Sequence, residues 1–485
     1  MRIVLLDSTV RGTAIRTIAA LFVCALVACG ERDRAEAGEE LAGGATTVFD
    51  ASRNAFSFPP ANLSSDRQTD FFIGNSFFKK NWVEAPASTN GRDGLGPHFI
   101  ARSCGACHAL DGRGAPPTVR EGASVEQPVG LLLRLSVPGD GGKDGIVPEP
   151  TYGGQLNVQA IQGVKAEARV RIRYEEIEGR FADGERYSLR KPVYTIVDPA
   201  YGAPRRDMLV SPRIAPQMIG LGLLEAIREQ DILANAERQA RENTSVTGRP
   251  NRVWDRYADN WVIGRFGWKA NVGSVAHQDA GAFAGDIGIT SPRFAREECT
   301  AAQKDCLAAI MREAVWRRER GESNIDIDDR TLNKVIFYTR LLAVPARREW
   351  ERPEVLRGKR VFNESGCASC HVPAYRTGQV EGLPELSDQT IRPYTDLLLH
   401  DMGEGLADGR PDFAADGREW RTPPLWGIGL FKTVNGHTFY MHDGRARNLT
   451  EAVLWHGGEA ETAKRRFLER DKKDRTALLR FLESL

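Results

Sequence analysis

Two short stretches of the chain share one spacing, Cys104-Gly105-Ala106-Cys107-His108 and Cys367-Ala368-Ser369-Cys370-His371. Two thiols at this separation can add across the two vinyl groups of a haem. The histidine that follows can then bind the iron from one face. A lone Cys-x-x-Cys also fits a zinc site or a redox dithiol. Zinc needs further Cys or His ligands at finger-like spacing, and the chain offers none beside either motif. Two complete matches therefore point to two covalently bound c-type haems, attached at Cys104, Cys107, Cys367 and Cys370, with His108 and His371 as proximal ligands.

The opposite face of each iron decides the chemistry. Two strong protein ligands make an electron carrier, whereas an open face can bind peroxide or oxygen. The remaining histidines are His98, His277, His400, His437, His442 and His456. The methionines beyond the N-terminal segment are Met208, Met218, Met311, Met402 and Met441. Residue type alone does not choose among them.

The elements that must position these groups can be read from periodicity. Residues 128–200 read as β-rich. Ala168-Arg169-Val170-Arg171-Ile172-Arg173-Tyr174 alternates apolar and polar, Ala182-Asp183-Gly184-Glu185 supplies a turn, and Val193–Val197 follows. The alternating arginines are the solvated side of an antiparallel sheet rather than a basic binding face. From 211 the pattern turns helical. Residues 328–343 form an amphipathic helix opened by acidic residues and ended by Pro345. A second helix runs from Pro353 to Asn363 into the second motif. No internal repeat appears beyond the motifs themselves.

At 485 residues the chain exceeds one ordinary core. Basic and acidic residues number 66 and 65, so no surplus exists to neutralise phosphates, and nucleic acid is excluded as a partner. Arg2, Arg11 and Arg16 precede an apolar run, Ile18–Ala28, too short to stay in a bilayer as a spanning helix. The run ends in Leu26-Val27-Ala28-Cys29, which resembles a bacterial lipobox. Residues 1–28 then read as a signal peptide that carries Cys24 away, and Cys29 as the lipidated residue. Ordinary signal cleavage slightly later is the competing reading. With Glu31 where an inner-membrane retention cue would need Asp, the expected location is the periplasm, anchored at the outer rather than the inner membrane. Residues 29–48 read as a flexible tether. An oxidising compartment permits a Cys299–Cys306 disulfide, favoured here over two free thiols on neighbouring helical turns.

The run Arg421-Thr422-Pro423-Pro424-Leu425, with Tyr440–Arg445 and Leu449–Val453, resembles the second half of bacterial di-haem cytochrome c peroxidases and of the methylamine-utilisation di-haem enzyme. Three further phrases, Phe283–Thr290, Tyr394–Gly403 and Trp455–Ala460, resemble the di-haem oxidoreductase family of peroxidase-like proteins from about residue 60 to the end.

The resemblance implies a mainly α fold of two cytochrome c-like domains, 49–345 and 346–485, with a β-rich insertion at about 118–210. It implies reduction of hydrogen peroxide at the first haem, with electrons arriving through the second from a small cytochrome or cupredoxin. A non-catalytic carrier and an enzyme oxidising an organic substrate are the alternatives. The peroxidases' axial methionine falls at His456, which is preferred to Met402 as ligand of the second iron. His442 falls near a haem edge. No histidine lies between His108 and the β-rich segment, which implies an open first iron or a ligand from His98 or His277. Gln217 and Glu225 fall where the peroxidases place distal acid/base groups, and Trp268 is the candidate electron relay. Glu225 as an exposed or capping carboxylate is the equal alternative. Calcium stays open, because His437 stands where a calcium-binding hydroxyl would be expected.

Overall fold

A computed structural model describes residues 34–485 apart from 90, 119–124, 127 and 243. The expected signal peptide, Cys24 and Cys29 lie outside the described residues. The fold is mixed rather than mainly helical, with 33% helix and 18% strand in small sheets. Among the described residues, no helix is long and apolar enough to cross a membrane.

The elements used below are, in order, α1 (Ser65–Lys79), α2 (Cys104–Cys107), β1 (Leu131–Ser136), β2 (Arg169–Arg180), β3 (Arg186–Val197), β4 (Leu209–Ile214), α3 (Leu221–Glu225), β5 (Arg252–Asp255), α4 (Val275–Ala282), α5 (Lys304–Arg320), α6 (Asp329–Arg340), α7 (Pro353–Ser365), β6 (Leu399–Asp401), β7 (Glu419–Arg421), α8 (Leu449–Leu454) and α9 (Lys472–Ser484). Helix α4 runs directly into a π-helical turn, Phe283–Ile287.

Each motif is held by a crossing of two helices built the same way. In the first half α1 crosses α6 where Gly74 meets the Lys334 carbonyl and the Tyr338 Cβ; any side chain at Gly74 would collide with both. In the second half α7 crosses α9 where Gly358 meets the Ala477 carbonyl and Phe481 in the same manner. One turn after each glycine a phenylalanine fills the angle. Phe78 lies 5.4 Å from Tyr338 and 6.2 Å from the ring of His108. Phe362 lies 5.1 Å from Phe481 and 6.3 Å from the ring of His371. The duplication is invisible as a sequence repeat because only a glycine and an aromatic need match. In the first half, moreover, a long loop separates Phe78 from Cys104.

The β-rich segment forms as expected. Strands β2 and β3 pair antiparallel from Arg169 opposite Val197 to Arg180 opposite Arg186. Arg169, Arg171 and Arg173 face solvent while Val170 and Ile172 are buried with Leu131, Leu133 and Leu135 of β1. The helical pattern expected from 211 begins later, because Ser211–Ile214 complete β4, which pairs with β1. The Cys299–Cys306 disulfide is formed and ties the segment before α5 to its first turn.

A flexible tether over 29–48 does not hold for residues 36–48. Glu39 is 1% exposed and pairs with Lys359 and, at 3.4 Å, with Arg347. Val48 bridges to Pro345. The polar composition that suggested a tether hides a carboxylate whose partners lie some 300 positions away along the chain.

One further contact joins the halves. Lys269 is fully buried, and its Nζ donates to Asp408 Oδ1 at 3.0 Å, to the Arg410 carbonyl at 2.9 Å and to the Asp416 carbonyl at 2.6 Å.

Candidate active site

At the first motif, α2 presents Cys104, Cys107 and His108 to a cavity of about 670 Å³. His108 Nδ1–H donates to the Pro216 carbonyl at 2.7 Å. That bond fixes the tautomer and leaves Nε2 free as a ligand atom. Burial pushes the Cys107 thiol up to about 12 and the Cys104 thiol well above the usual thiol range. A redox dithiol needs a lowered thiolate pKa, so this environment argues against that use.

Three consecutive residues of α6 each hold a carboxylate near this cavity. Tyr338 donates to Asp111 at 2.5 Å, Thr339 donates to Asp279 at 2.6 Å, and Arg340 binds Glu225 at 2.6 and 3.1 Å. Asp111 also accepts from Ser57 and is fully buried, as a packed anchor would be.

Glu225, expected as an acid/base candidate, is engaged away from the cavity lining. Besides Arg340 it accepts the Val275 N–H at 2.8 Å, at the start of α4. This is the capping alternative, with an ion pair added. Among the carboxylates that do line the cavity, Asp279 on α4 is 7% exposed and lies one turn from the π-helical segment. Burial raises its pKa to about 7, only partly offset by the Thr339 bond and the Arg340 charge. A carboxyl poised near neutrality can take and return a proton.

Gln217 lines the cavity as expected, and its side-chain oxygen has no hydrogen-bond partner. Trp268 also lines it, buried, with Nε1 donating to the Ile214 carbonyl at 2.9 Å. Its own carbonyl receives the Arg421 N–H from the second half. In the same half Trp420 stacks on His442, with ring centroids 3.8 Å apart and planes 10° apart. Burial takes the His442 pKa down to about 3, so that ring is neutral. Asp286, on the π-helical turn, reaches the cavity 3.6 Å from Arg134. π-turns recur at functional positions.

Two buried guanidinium groups also line the cavity without an ion-pair partner among the described residues. Arg421 donates only to the Gly267 and Thr422 carbonyls, and Arg113 donates to the Met441 carbonyl and lies over Trp268 at 5.0 Å. Burial lowers both to about 10. Buried cations without a counter-ion are costly. Their presence beside the Cys-x-x-Cys-His motif suits a ligand that brings its own carboxylates, as a haem does with its two propionates.

At the second motif, His371 Nδ1–H donates to the Tyr394 carbonyl at 2.9 Å. Burial, with a smaller contribution from the nearby His456, takes this histidine down to about 4. His456, just after α8, repeats the ligand arrangement: its Nδ1–H donates to the Ala452 carbonyl at 2.7 Å, and Nε2 makes no hydrogen bond with any of the described residues. Met402 instead packs its side chain, partly buried, on the apolar core. His400 is clamped between Asp396 at 2.8 Å and Glu459 at 2.7 Å, which leaves neither ring nitrogen for iron. Its charge is favoured well above the usual histidine range: burial opposes the proton, but the two carboxylates outweigh it.

Of the two alternative ligands for the first iron, His98 is excluded. Its Nε2 meets the Lys165 carbonyl and the Tyr201 hydroxyl, and its Nδ1 lies 3.5 Å from Glu167. His277 does line the first cavity.

Sequence reasoning missed Asp279, Arg113 and Arg421. One signal was available for Asp279: with His277 and Gln278 it breaks an otherwise apolar helix, Val275–Ala282, that leads into the matched phrase at 283–290.

Two such cradles, with side chains that fit two haem groups, define a two-centre redox enzyme. The chain belongs to the family described as "Di-haem oxidoreductase, putative peroxidase", whose model matches residues 37–485. No curated protein matches the chain, and no solved structure does.

Proposed function

We propose that the chain is an exported enzyme that reduces hydrogen peroxide at its first centre, with electrons delivered through the second. The observation that carries this is the asymmetry of the centres: an acid poised near pH 7 lines the first cavity, whereas an imidazole with a free Nε2 stands beside the second proximal ligand. In this reading both haems are attached as thioethers at Cys104 and Cys107 and at Cys367 and Cys370, and the two halves are cytochrome c-like units.

A haem bound at each motif supplies the iron and the one-electron steps that the amino acids cannot. The chain's own groups do the rest. His108, fixed by the Pro216 carbonyl, and His371, fixed by the Tyr394 carbonyl, are the proximal ligands. His456 is the second ligand at the second centre. Arg113 and Arg421 neutralise propionates at the first. With a haem in place, Asp279 would take a proton from one peroxide oxygen and return it to the other, and the net reaction adds two electrons and two protons to give two waters. Gln217 offers an unpartnered carbonyl oxygen to orient peroxide. Trp268 lies on the route between centres. Glu225 acts by holding Arg340 and the start of α4 in place.

The electron donor in this proposal is a small cytochrome or cupredoxin. The protein is held in the periplasm by lipid at Cys29, on the outer rather than the inner membrane.

The test is to half-reduce the purified holoprotein, mix it with hydrogen peroxide in a stopped-flow spectrometer and follow both haem spectra. Rapid two-electron oxidation with a transient at a high-spin first haem is expected. Two low-spin haems that ignore peroxide would leave an electron carrier.

A further inference from the structure

Peroxide reduction consumes two protons per turnover, and the cavity that would host it is lined by buried groups such as Asp279 and Gln217 together with exposed ones such as Lys143 and Asp144. A second hollow of about 410 Å³, with a mixed polar and apolar lining, lies behind α4, and Glu229, Asp255, Tyr257, Ser274, Asn333 and Arg340 supply polar groups to it. His277, in the first turn of α4, lines the first cavity, and its partner Asp255 lines the second hollow.

The ring of His277 has both a donor and an acceptor within reach. His277 Nδ1 lies 3.4 Å from the Arg256 N–H, a donor, and 3.6 Å from Asp255 Oδ2, an acceptor. The neutral ring accepts from Arg256 N–H, and the protonated ring has Asp255 within a small movement. Nε2 makes no hydrogen bond with any described residue. Asp255 is 1% exposed. Burial opposes its charge, but bonds from His277, the Ser274 hydroxyl and the Ala258 N–H outweigh it and hold the carboxyl well below the usual range. Ser274 caps α4 beside them: its hydroxyl donates to Asp255 at 2.6 Å and accepts the backbone N–H of His277 at 3.2 Å. The other charges around the ring are Arg256 after β5, Asp144 paired with Arg256 at 2.8 Å, Asp279 on α4, and Glu298, which also lines the cavity.

We infer that His277, oriented by Asp255, relays protons from the second hollow into the cavity of the first centre. A proton from water in the second hollow adds to Nδ1, on the side of Asp255 and Ser274, the charged ring gives its Nε2 proton to an oxygen in the cavity, and tautomer exchange through water returns the remaining proton from Nδ1 to Nε2 before the next cycle. Only O–H and N–H bonds form and break, and no electron moves. The inference rests on the first centre being the open one proposed above.

The test uses the holoprotein and its His277→Gln and Asp255→Asn variants, with cyanide as the probe. Hydrogen cyanide must lose its proton to bind ferric haem, so its association rate reports proton transfer in the cavity whether or not peroxide is the substrate. His277→Gln is expected to slow association about 10²-fold, to remove a limb of the pH profile between pH 5 and 9, and to be rescued by added imidazole. Asp255→Asn should give a smaller loss with a shifted profile. An unchanged rate and profile in both variants would overturn the relay. So would a change of spin state at the first haem in His277→Gln, since that would make His277 an iron ligand. Normal cyanide kinetics in the parent protein without peroxide turnover would sink the peroxidase reading and leave the relay standing.

Discussion

The two halves build one cradle twice and finish it differently. Gly74, Phe78 and Tyr338 around His108 correspond to Gly358, Phe362 and Phe481 around His371. Both motif histidines, His108 and His371, are pinned through Nδ1 to a backbone carbonyl. Up to that point the sites are interchangeable. Beyond it, the first half adds α4 and a β-rich insertion that, with Arg421 and its neighbours from the second half, line a cavity containing Asp279 and Arg113. The second half adds α8, which places His456. The cradle therefore sets where an iron is held, and the elements grafted outside it set what that iron can meet.

Exchanging the grafted groups should break the comparison. The largest expected effect is at Asp279. Asp279→Asn should lower peroxide turnover by about 10²–10³-fold with both haem spectra preserved, measured by steady-state assay against a reduced donor.

The same substitution should change the pH dependence of stability. Asp279 titrates near 7 when folded, against about 3.9 when unfolded. The parent chain should thus lose stability as pH rises from about 4 to about 7, by at most on the order of 4 kcal/mol. The Asn variant lacks this loss, so its melting temperature should fall less than the parent's between pH 5 and 8.

Next comes His456. His456→Met should raise the reduction potential of the second haem and slow nothing at the first, because thioether ligation favours the reduced iron. Spectroelectrochemical titration resolves the two haems, and an unmoved second potential would remove His456 from the coordination sphere. The smallest effect is expected at Glu225. Glu225→Gln should cost about 1–2 kcal/mol through the weakened Arg340 pair and change turnover by no more than a few-fold. A loss matching that of Asp279→Asn would reverse the assignment of the two carboxylates.

Much of this was legible in the sequence because it is local. The thiols and His108 and His371 sit in one short motif, and the hairpin of β2 and β3 follows from alternation between Arg169 and Tyr174. His456 was reachable through the position it occupies in a resembling segment. Glu225 and Asp279 were not separable, since both are lone acids near helix ends. Which one faces the cavity depends on how Thr339 and Arg340, far along the chain, meet them across α6. Arg113 and Arg421 look like ordinary surface arginines until the fold buries them. Glu39 misled in the same way, as its partners Arg347 and Lys359 belong to the other half.

The contact between Lys269 and the 408–416 loop has a consequence for how the halves stay together. An ion bound between domains stabilises them by mass action, so its contribution falls as the free ion is diluted or chelated. The ammonium that fills this oxygen cage is carried on the chain. Its local concentration is set by the backbone and not by the medium, and the joint at this point holds equally in an ion-poor and an ion-rich surrounding.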